Sequence, residues 1–325
     1  MITQPDDIAY LDGAVFVNFQ NQVGPQGQAS SSGNLDSTIV EFSRAGSELA
    51  QWDITGHCDG LTADPYTGQL IATVNEDANS SLYLIDPAPG STPVQYHYSE
   101  PLPHNGGTDS VAIYNGAILI SASAPGTSGA PAPQPSYPAV YVVTLDSSDH
   151  IANVNSLFSD EDPANVANTN APDFGSTVNL ALTDPDSSAV VPGYAGRFAG
   201  SFMLDSQGDQ EQIYFDGWQH PLALLRLSAS VNDTVWPSGP GGTLYASDGS
   251  ADQVVAITGP LHRGSEIAAV TPCDSNTAPS TCPAPGYPAN YLGQVDPYTG
   301  QITPLEVAGA TVHPGGLLFV PGRGR

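Results

Sequence analysis

Residues 56–77 read GHCDGLTADPYTGQLIATVNED. His57, Cys58 and Asp59 open this stretch, and Asn75, Glu76 and Asp77 close it. Carboxylates, amide oxygens and an imidazole are the groups that hold a divalent cation and move protons beside it. Similar residues recur along the chain. Asp6, Asp59, Asp109 and Asp233 each stand two places before an apolar residue, at Ile8, Leu61, Val111 and Val235. Carboxylates brought round one point repel until they take up protons or a cation, and an all-oxygen shell favours Ca²⁺. The candidate metal ligands are therefore Asp59, Asp109, Asp233, Asn75 and Asn18. The candidate catalytic residues are His57, His104 and Glu76. An Asp ahead of a strand also caps its own turn, and that purely structural role stays open for each of them. A different reading brings His57, His104 and His313 together on Zn²⁺ or Cu²⁺. Cys58 reads as a small buried residue rather than a nucleophile.

The elements that must position these groups are short. Apolar runs of four to seven residues, such as GAVFVNF, STIVEF, QLIATV and GAILISAS, are bounded by Gly, Pro, Asn and Asp and are rich in Val, Ile, Thr and Tyr. They read as strands. A repeat organises them: 6–19, 59–75, 109–123 and 233–248 each start with Asp, reach an apolar residue and then a Gly-containing turn, and end in a second strand. Weaker copies stand at 176–191 and 315–322. Two further strands follow most copies. This predicts an all-β chain folded as a single β-propeller over 1–325, with six blades favoured and five or seven still open. GGLLFVP closes the ring, or 260–310 holds a degraded blade. In a propeller the loop that enters the inner strand and the loop leaving the second strand share one face. Both ends of 56–77 therefore meet there, with the DPYTG turn on the opposite face. The same face gathers Gln20, Asn105, Gln207, Asp209 and His313 as candidate substrate-binding residues, on long loops over a rigid scaffold.

Composition narrows the function classes. Against 33 Asp and Glu stand six basic residues, all Arg, for a net charge of −27. A surface this negative repels nucleic acid and anionic membranes. Without Lys there is neither a Schiff base nor a P-loop. Cys273 and Cys282 bracket a Pro/Ser-rich loop and are expected to form a disulfide. MITQPDD reads as a start placed after a removed leader, and no run is long enough to be a membrane helix. The expectation is a secreted, acidic, monomeric protein acting on a small molecule.

The hairpins DGLTAD…GQLIATV and DSVAIY…GAILISAS resemble those of the calcium-dependent six-bladed propellers. These are the regucalcin and gluconolactonase-type lactonases, the paraoxonase-like and diisopropylfluorophosphatase-like hydrolases, and the related NHL-like propellers. The chain is also similar to exported bacterial propellers. The resemblance implies an axial Ca²⁺ held by a Glu, Asn residues and an Asp from different blades, for which Glu76, Asn75, Asn18, Asp59, Asp109 and Asp233 lie on the right face. Where that family has its Glu in the first blade, this chain offers Asn18 and Gln20. The implied activity is metal-dependent hydrolysis of a small ester-like bond, a lactone or phosphotriester. The alternative is a non-catalytic exported propeller that recognises a glycan, peptide or protein partner.

Overall fold

The computed structural model describes residues 2–104, 107–125, 136–280, 282 and 289–322. Regular structure among them is β-strand, apart from one 3-10 turn at Pro272–Asp274. No helix among them is long and apolar enough to cross a membrane.

The first three blades are meanders. Blade 1 holds β1 (Pro5–Leu11), β2 (Ala14–Phe19), β3 (Asp36–Ser43) and β4 (Glu48–Thr55). Blade 2 holds β5 (Cys58–Asp64), β6 (Gln69–Val74), β7 (Ser81–Ile85) and β8 (Val94–Tyr98). Blade 3 holds β9 (Thr108–Tyr114), β10 (Ala117–Ala122), β11 (Pro138–Asp146) and β12 (Ile151–Ser159). The hairpins close tightly: Asp12-Gly13 (φ 48° and 94°) and Asn115-Gly116 (φ 51° and 81°) supply the paired left-handed residues that match strand twist. A small hairpin, β13 (Pro163–Val166) and β14 (Thr177–Asn179), precedes blade 4 and adds to its outer edge. Blade 4 is β15 (Pro185–Val190), β16 (Phe202–Ser206), β17 (Glu211–Phe215) and β18 (Leu222–Arg226).

The last two blades interlock. After β19 (Val231–Val235) come β20 (Gly242–Asp248), β21 (Gln253–Ile257), β22 (Glu266–Val270), β23 (Tyr291–Val295), β24 (Ile302–Pro304) and β25 (Leu317–Pro321). Blade 5 is β19-β22-β23-β24, and blade 6 is β25-β20-β21. The chain thus lays down two strands of blade 6 before it finishes blade 5. The inner strands β1, β5, β9, β15, β19 and β25 pack each against the next in a closed ring of six.

Two expectations are corrected here and one open alternative is decided. Residues 233–248 are not one hairpin: β19 pairs with β22, and β20 with β25. WPSGPG at 236–241 looks like a hairpin turn, but it carries the chain across to the neighbouring blade. In 176–191, β14 belongs to the outer hairpin, and the inner strand is β15 alone. The segment 260–310 holds the remainder of blade 5 rather than a degraded blade.

Blades stack face to face, so central strands are buried on both sides. All six residues of β2 are buried. Its alternation sends Phe16 into the layer with Leu70 and Ala72 of blade 2, and Val17 into the layer with Tyr245 and Val320 of blade 6. Each such side chain contributes about 1.5–3 kcal/mol on burial. The outer β4 buries only Trp52 and Ile54. Cys58 lies in the blade 1–2 layer, free and fully buried. Cys273 and Cys282 are disulfide-bonded, with Cα atoms 5.6 Å apart.

Candidate metal centre

Five of the six inner strands share one irregularity. The ladder of β1 breaks between Pro5 and Ile8, that of β5 between Cys58 and Leu61, and that of β15 between Pro185 and Ser188. The β9 ladder breaks between Thr108 and Val111, and the β19 ladder between Val231 and Asp233. A bulge leaves a residue out of the ladder and re-aims its side chain. The first residues so released are Asp6, Asp59, Asp109, Asp186 and Asn232, one per blade. The sixth place falls on Gly315, where a Cβ would stand 3.5 Å from Asp6 Oδ1 and 3.9 Å from Asn232 Oδ1. Gly315 therefore leaves a gap beside two members of the ring.

These side chains form a crowded carboxylate ring with few protein donors. Gln20 Nε2 donates to Asp6 Oδ2 at 3.1 Å, and Asn232 Nδ2 to Asp186 Oδ2 at 2.9 Å. Asp109 is 3% exposed, and its Oδ1 has no hydrogen-bond partner among the described residues. Burial, and next the charge of Asp59, hold Asp6, Asp109 and Asp186 well above the usual carboxylate range. Asp59 itself is pushed up to about 7 by burial, Asp7 and Asp184. Glu76 is raised to about 8 by burial and then by Asp59, with His57 pulling the other way. No arginine among the described residues pairs with this charge. Among the described arginines, Arg44 binds the Pro321 carbonyl, Arg197 those of Pro297 and Ala167, and Arg226 pairs with Asp173, while Arg263 lies over Tyr194.

His57 and Glu76 stand beside the ring at the two ends of the β5–β6 hairpin. His57 N donates to Asn75 Oδ1 at 2.9 Å, and Asn75 Nδ2 donates to the Asn79 carbonyl at 3.1 Å. Asn75 therefore organises the hairpin end, from a left-handed backbone at φ 69°. His57 Nδ1 lies 2.6 Å from the Val23 carbonyl, and Nε2 lies 3.4 Å from Glu76 Oε1. Ligand atoms of His57, Asp59 and Glu76 all fall within 4.8 Å of one another. Blade 3 presses on this corner: a Cβ at Gly107 would stand 1.6 Å from the Glu76 carbonyl oxygen, so only glycine fits. Asn18 is fully buried and donates to the Cys58 and Asp59 carbonyls at 2.9 and 3.0 Å, pinning the bulge that presents Asp59. Its own Oδ1 has no partner among the described residues.

The other expected residues are placed elsewhere. Asp233 sits one residue past the ring position and accepts from the Leu317 and Thr234 amides; Asn232 holds the ring place. Asp209 accepts from Thr183, Ser206 and Asn276, and so organises loops. Gln207 Nε2 donates to Thr271 Oγ1 at 3.1 Å. His104 contacts the Ala124 carbonyl through Nδ1, with its ring 4.5 Å from that of Tyr137. His313 lies against Asp248. No cluster of three or more ligand-type residues among the described ones contains His104 or His313. Asn105 lies outside the described residues. The sequence reading missed Asp7, Asp184 and Asp186. PDSSAVV at 185–191 carries the same Asp-Ser opening as TDSVAIY at 108–114, which was the available signal. Below the ring, a cavity of ≈ 400 Å³ runs between the inner strands from Asp7 and Asp233 to Tyr66 in the DPYTG turn.

No protein-family model matches the chain, and no curated protein matches it. Solved structures do match over nearly its whole length. A protein of unknown function from Bacteroides caccae aligns with TM-score 0.52 and 10% identity, over 97% of this chain and 86% of that one. The periplasmic gluconolactonase of Pseudomonas aeruginosa aligns with TM-score 0.48 and 14% identity, over 97% and 88%. A streptogramin B lyase aligns with TM-score 0.47 and 11% identity, over 98% and 91%. At these identities the likeness concerns architecture alone.

Proposed function

We propose that the protein is an exported hydrolase that cleaves a small ester-like bond, a lactone or phosphotriester, with a divalent cation held at the carboxylate ring. The observation that carries this reading is the ring itself: four blades bring carboxylates close enough to raise one another's proton affinity, ligand atoms of His57, Asp59 and Glu76 lie within 4.8 Å of one another, Asp109 Oδ1 is buried without a partner among the described residues, and no described arginine pairs with any of them. Oxygen donors so arranged fit a cation. Asp59 and Glu76 would hold it, with Asp6 and Asp186 beside them. Such an ion polarises a carbonyl or phosphoryl oxygen and activates water.

The chain's own residues divide the remaining work. Asn18 fixes the backbone of Asp59, and Asn75 fixes that of His57. Asp109, free on one oxygen and raised by burial and its neighbours, is the carboxyl left to accept a proton from attacking water and return it to the leaving oxygen. The acidic surroundings favour uncharged substrates and repel the acid released. The disulfide fits an oxidising compartment, in keeping with export. The test is a panel of lactones, aryl esters and phosphotriesters, run with metal-loaded and chelator-treated protein. Hydrolysis that chelation removes and added metal restores is expected. A metal-loaded protein inert toward the whole panel would overturn the hydrolase and favour a non-catalytic binding propeller.

A further inference from the structure

We infer that the ion at this site is a nitrogen-accepting divalent metal of the Zn²⁺ or Co²⁺ type rather than Ca²⁺, because His57 Nε2 is a built ligand alongside Asp59 and Glu76. The inference rests on the cation reading above but not on hydrolysis. It starts from the far side of the imidazole. The Val23 carbonyl 2.6 Å from Nδ1 can only accept, so Nδ1 carries the hydrogen. In a neutral ring Nε2 then presents its lone pair, and it does so toward Glu76 Oε1 at 3.4 Å. Two lone pairs facing each other at that distance are satisfied by a proton or by a metal ion between them, and the third ligand atom, on Asp59, favours the metal. Metal-binding histidines are held in this way, with the remote N–H on a carbonyl or carboxylate fixing tautomer and ring plane.

The third corner is Asp59, within 4.8 Å of both. With bonds of about 2.0–2.1 Å, the edge of a tetrahedral site is about 3.3–3.4 Å, which the His57–Glu76 separation matches. Six oxygens around calcium have a similar edge, so the spacing does not choose the ion. The donor type does: calcium takes oxygens, whereas imidazole suits first-row transition metals. The histidine is also held in place rather than mobile. It is 8% exposed, its amide is tied to Asn75, and the bulge holding Asp59 is tied to Asn18.

Metal binding alone decides the matter. Chelator-stripped protein is titrated calorimetrically with Zn²⁺, Co²⁺ and Ca²⁺, and the Co²⁺ adduct is followed by its visible absorption. One equivalent of Zn²⁺ or Co²⁺ is expected to bind at least ~100-fold more tightly than Ca²⁺. His57→Gln should weaken Zn²⁺ and Co²⁺ by at least ~10-fold while changing Ca²⁺ by less than ~2-fold. Should His57→Gln fail to fold, ¹⁵N-histidine NMR of the unmodified protein with ¹¹³Cd²⁺ gives the answer directly: a metal-coupled Nε2 at His57 supports the assignment. Calcium binding as tight as zinc, an unchanged zinc affinity in the folded variant, or an uncoupled His57 nitrogen would each overturn it. These readouts need no substrate, so a protein that binds zinc through His57 yet cleaves nothing fails only the hydrolase reading.

Discussion

Two sets of acids are buried in this propeller, and they are buried differently. One is the axial ring. The other lies between blades 4 and 5, where Asp205 of β16 is 1% exposed and Glu266 of β22 is 3% exposed. Around the second set the protein has brought donors, although Asp205 Oδ1, like Asp109 Oδ1, has no partner among the described residues. Gln212 Nε2 donates to Glu266 Oε1 at 2.8 Å, and Tyr214 OH donates to Gln212 Oε1 at 2.7 Å. Thr234 Oγ1 and Ser187 Oγ donate to Asp205 Oδ2 at 3.1 and 3.2 Å. Burial comes first in raising Asp205 to about 7 and Glu266 to about 8, and the hydrogen bonds counter it. In the ring, burial also comes first, but the next cause is another carboxylate, Asp59 in each of four cases. Protons and local donors suffice for an isolated buried acid. Several acids converging with few donors take up protons or share a multivalent cation, and the cation satisfies them together. The direction of a pKa shift is therefore the same at a structural pair and at a candidate metal site, and its secondary cause separates them.

The largest effect should come from Asp59→Asn. It is expected to lower ion affinity by at least ~100-fold and to abolish ion-dependent activity. It should also remove the stabilisation that bound ion gives, about 2.7 kcal/mol at a hundredfold excess over Kd. Without metal near pH 7 the variant should melt no lower than the parent, because one repelling charge has gone. Thermal melts with and without chelator check both halves. Next comes Asn18→Ala, which leaves the Cys58 and Asp59 carbonyls unpaired in the interior and should cost about 1–3 kcal/mol. Ion affinity should fall with it, since the bulge loses its anchor; denaturant unfolding and calorimetry read the two effects.

The interblade pair should respond to pH instead of metal. Its folded pKa values lie above the model-compound values of 3.8 and 4.5, at about 7 and 8. A folded acid with a raised pKa binds protons more tightly than the unfolded chain does. Its stabilising contribution is complete below about pH 4 and is lost as pH rises through 7 to 8. With the ring saturated by metal, the melting temperature should fall over that window, and Asp205→Asn or Glu266→Gln should flatten the slope. An unchanged slope in both variants would mean the pair does not set it. Smallest is Cys273→Ser. The loop-closure model allows about 2–3 kcal/mol for so short a loop. The loop touches Asp209 and Thr183 through Asn276, so the expected outcome is protease sensitivity within 274–282 and little change in the main melt.

Much of the architecture was legible because strand patterning and Gly- or Asn-bearing turns are local signals. DGLTADPYTGQLIATV and DSVAIYNGAILISAS display their hairpins directly, and their strand alternation places His57 and Glu76 at one end. The interlock of blades 5 and 6 was not legible. WPSGPGG has turn composition whether the chain reverses or crosses over, and β19 meets β22 only through contacts thirty residues away. The phasing of Asp233 failed for a related reason. The bulge falls on Asn232, and a one-residue bulge shifts which side chain faces the axis without leaving a mark in the residue pattern. Asp186 was hidden because its strand has no hairpin partner adjacent in sequence: β16 begins after the 191–201 loop.

The central claim is that the axial ring, unlike the interblade acids, is a divalent-cation site. Calorimetric titration of chelator-stripped protein with a divalent metal, repeated on Asp59→Asn and Asp205→Asn, tests it most directly. One equivalent of bound ion in the parent and in Asp205→Asn, with none in Asp59→Asn, is the predicted result. No binding in the parent, or binding that survives Asp59→Asn and disappears with Asp205→Asn, would contradict it.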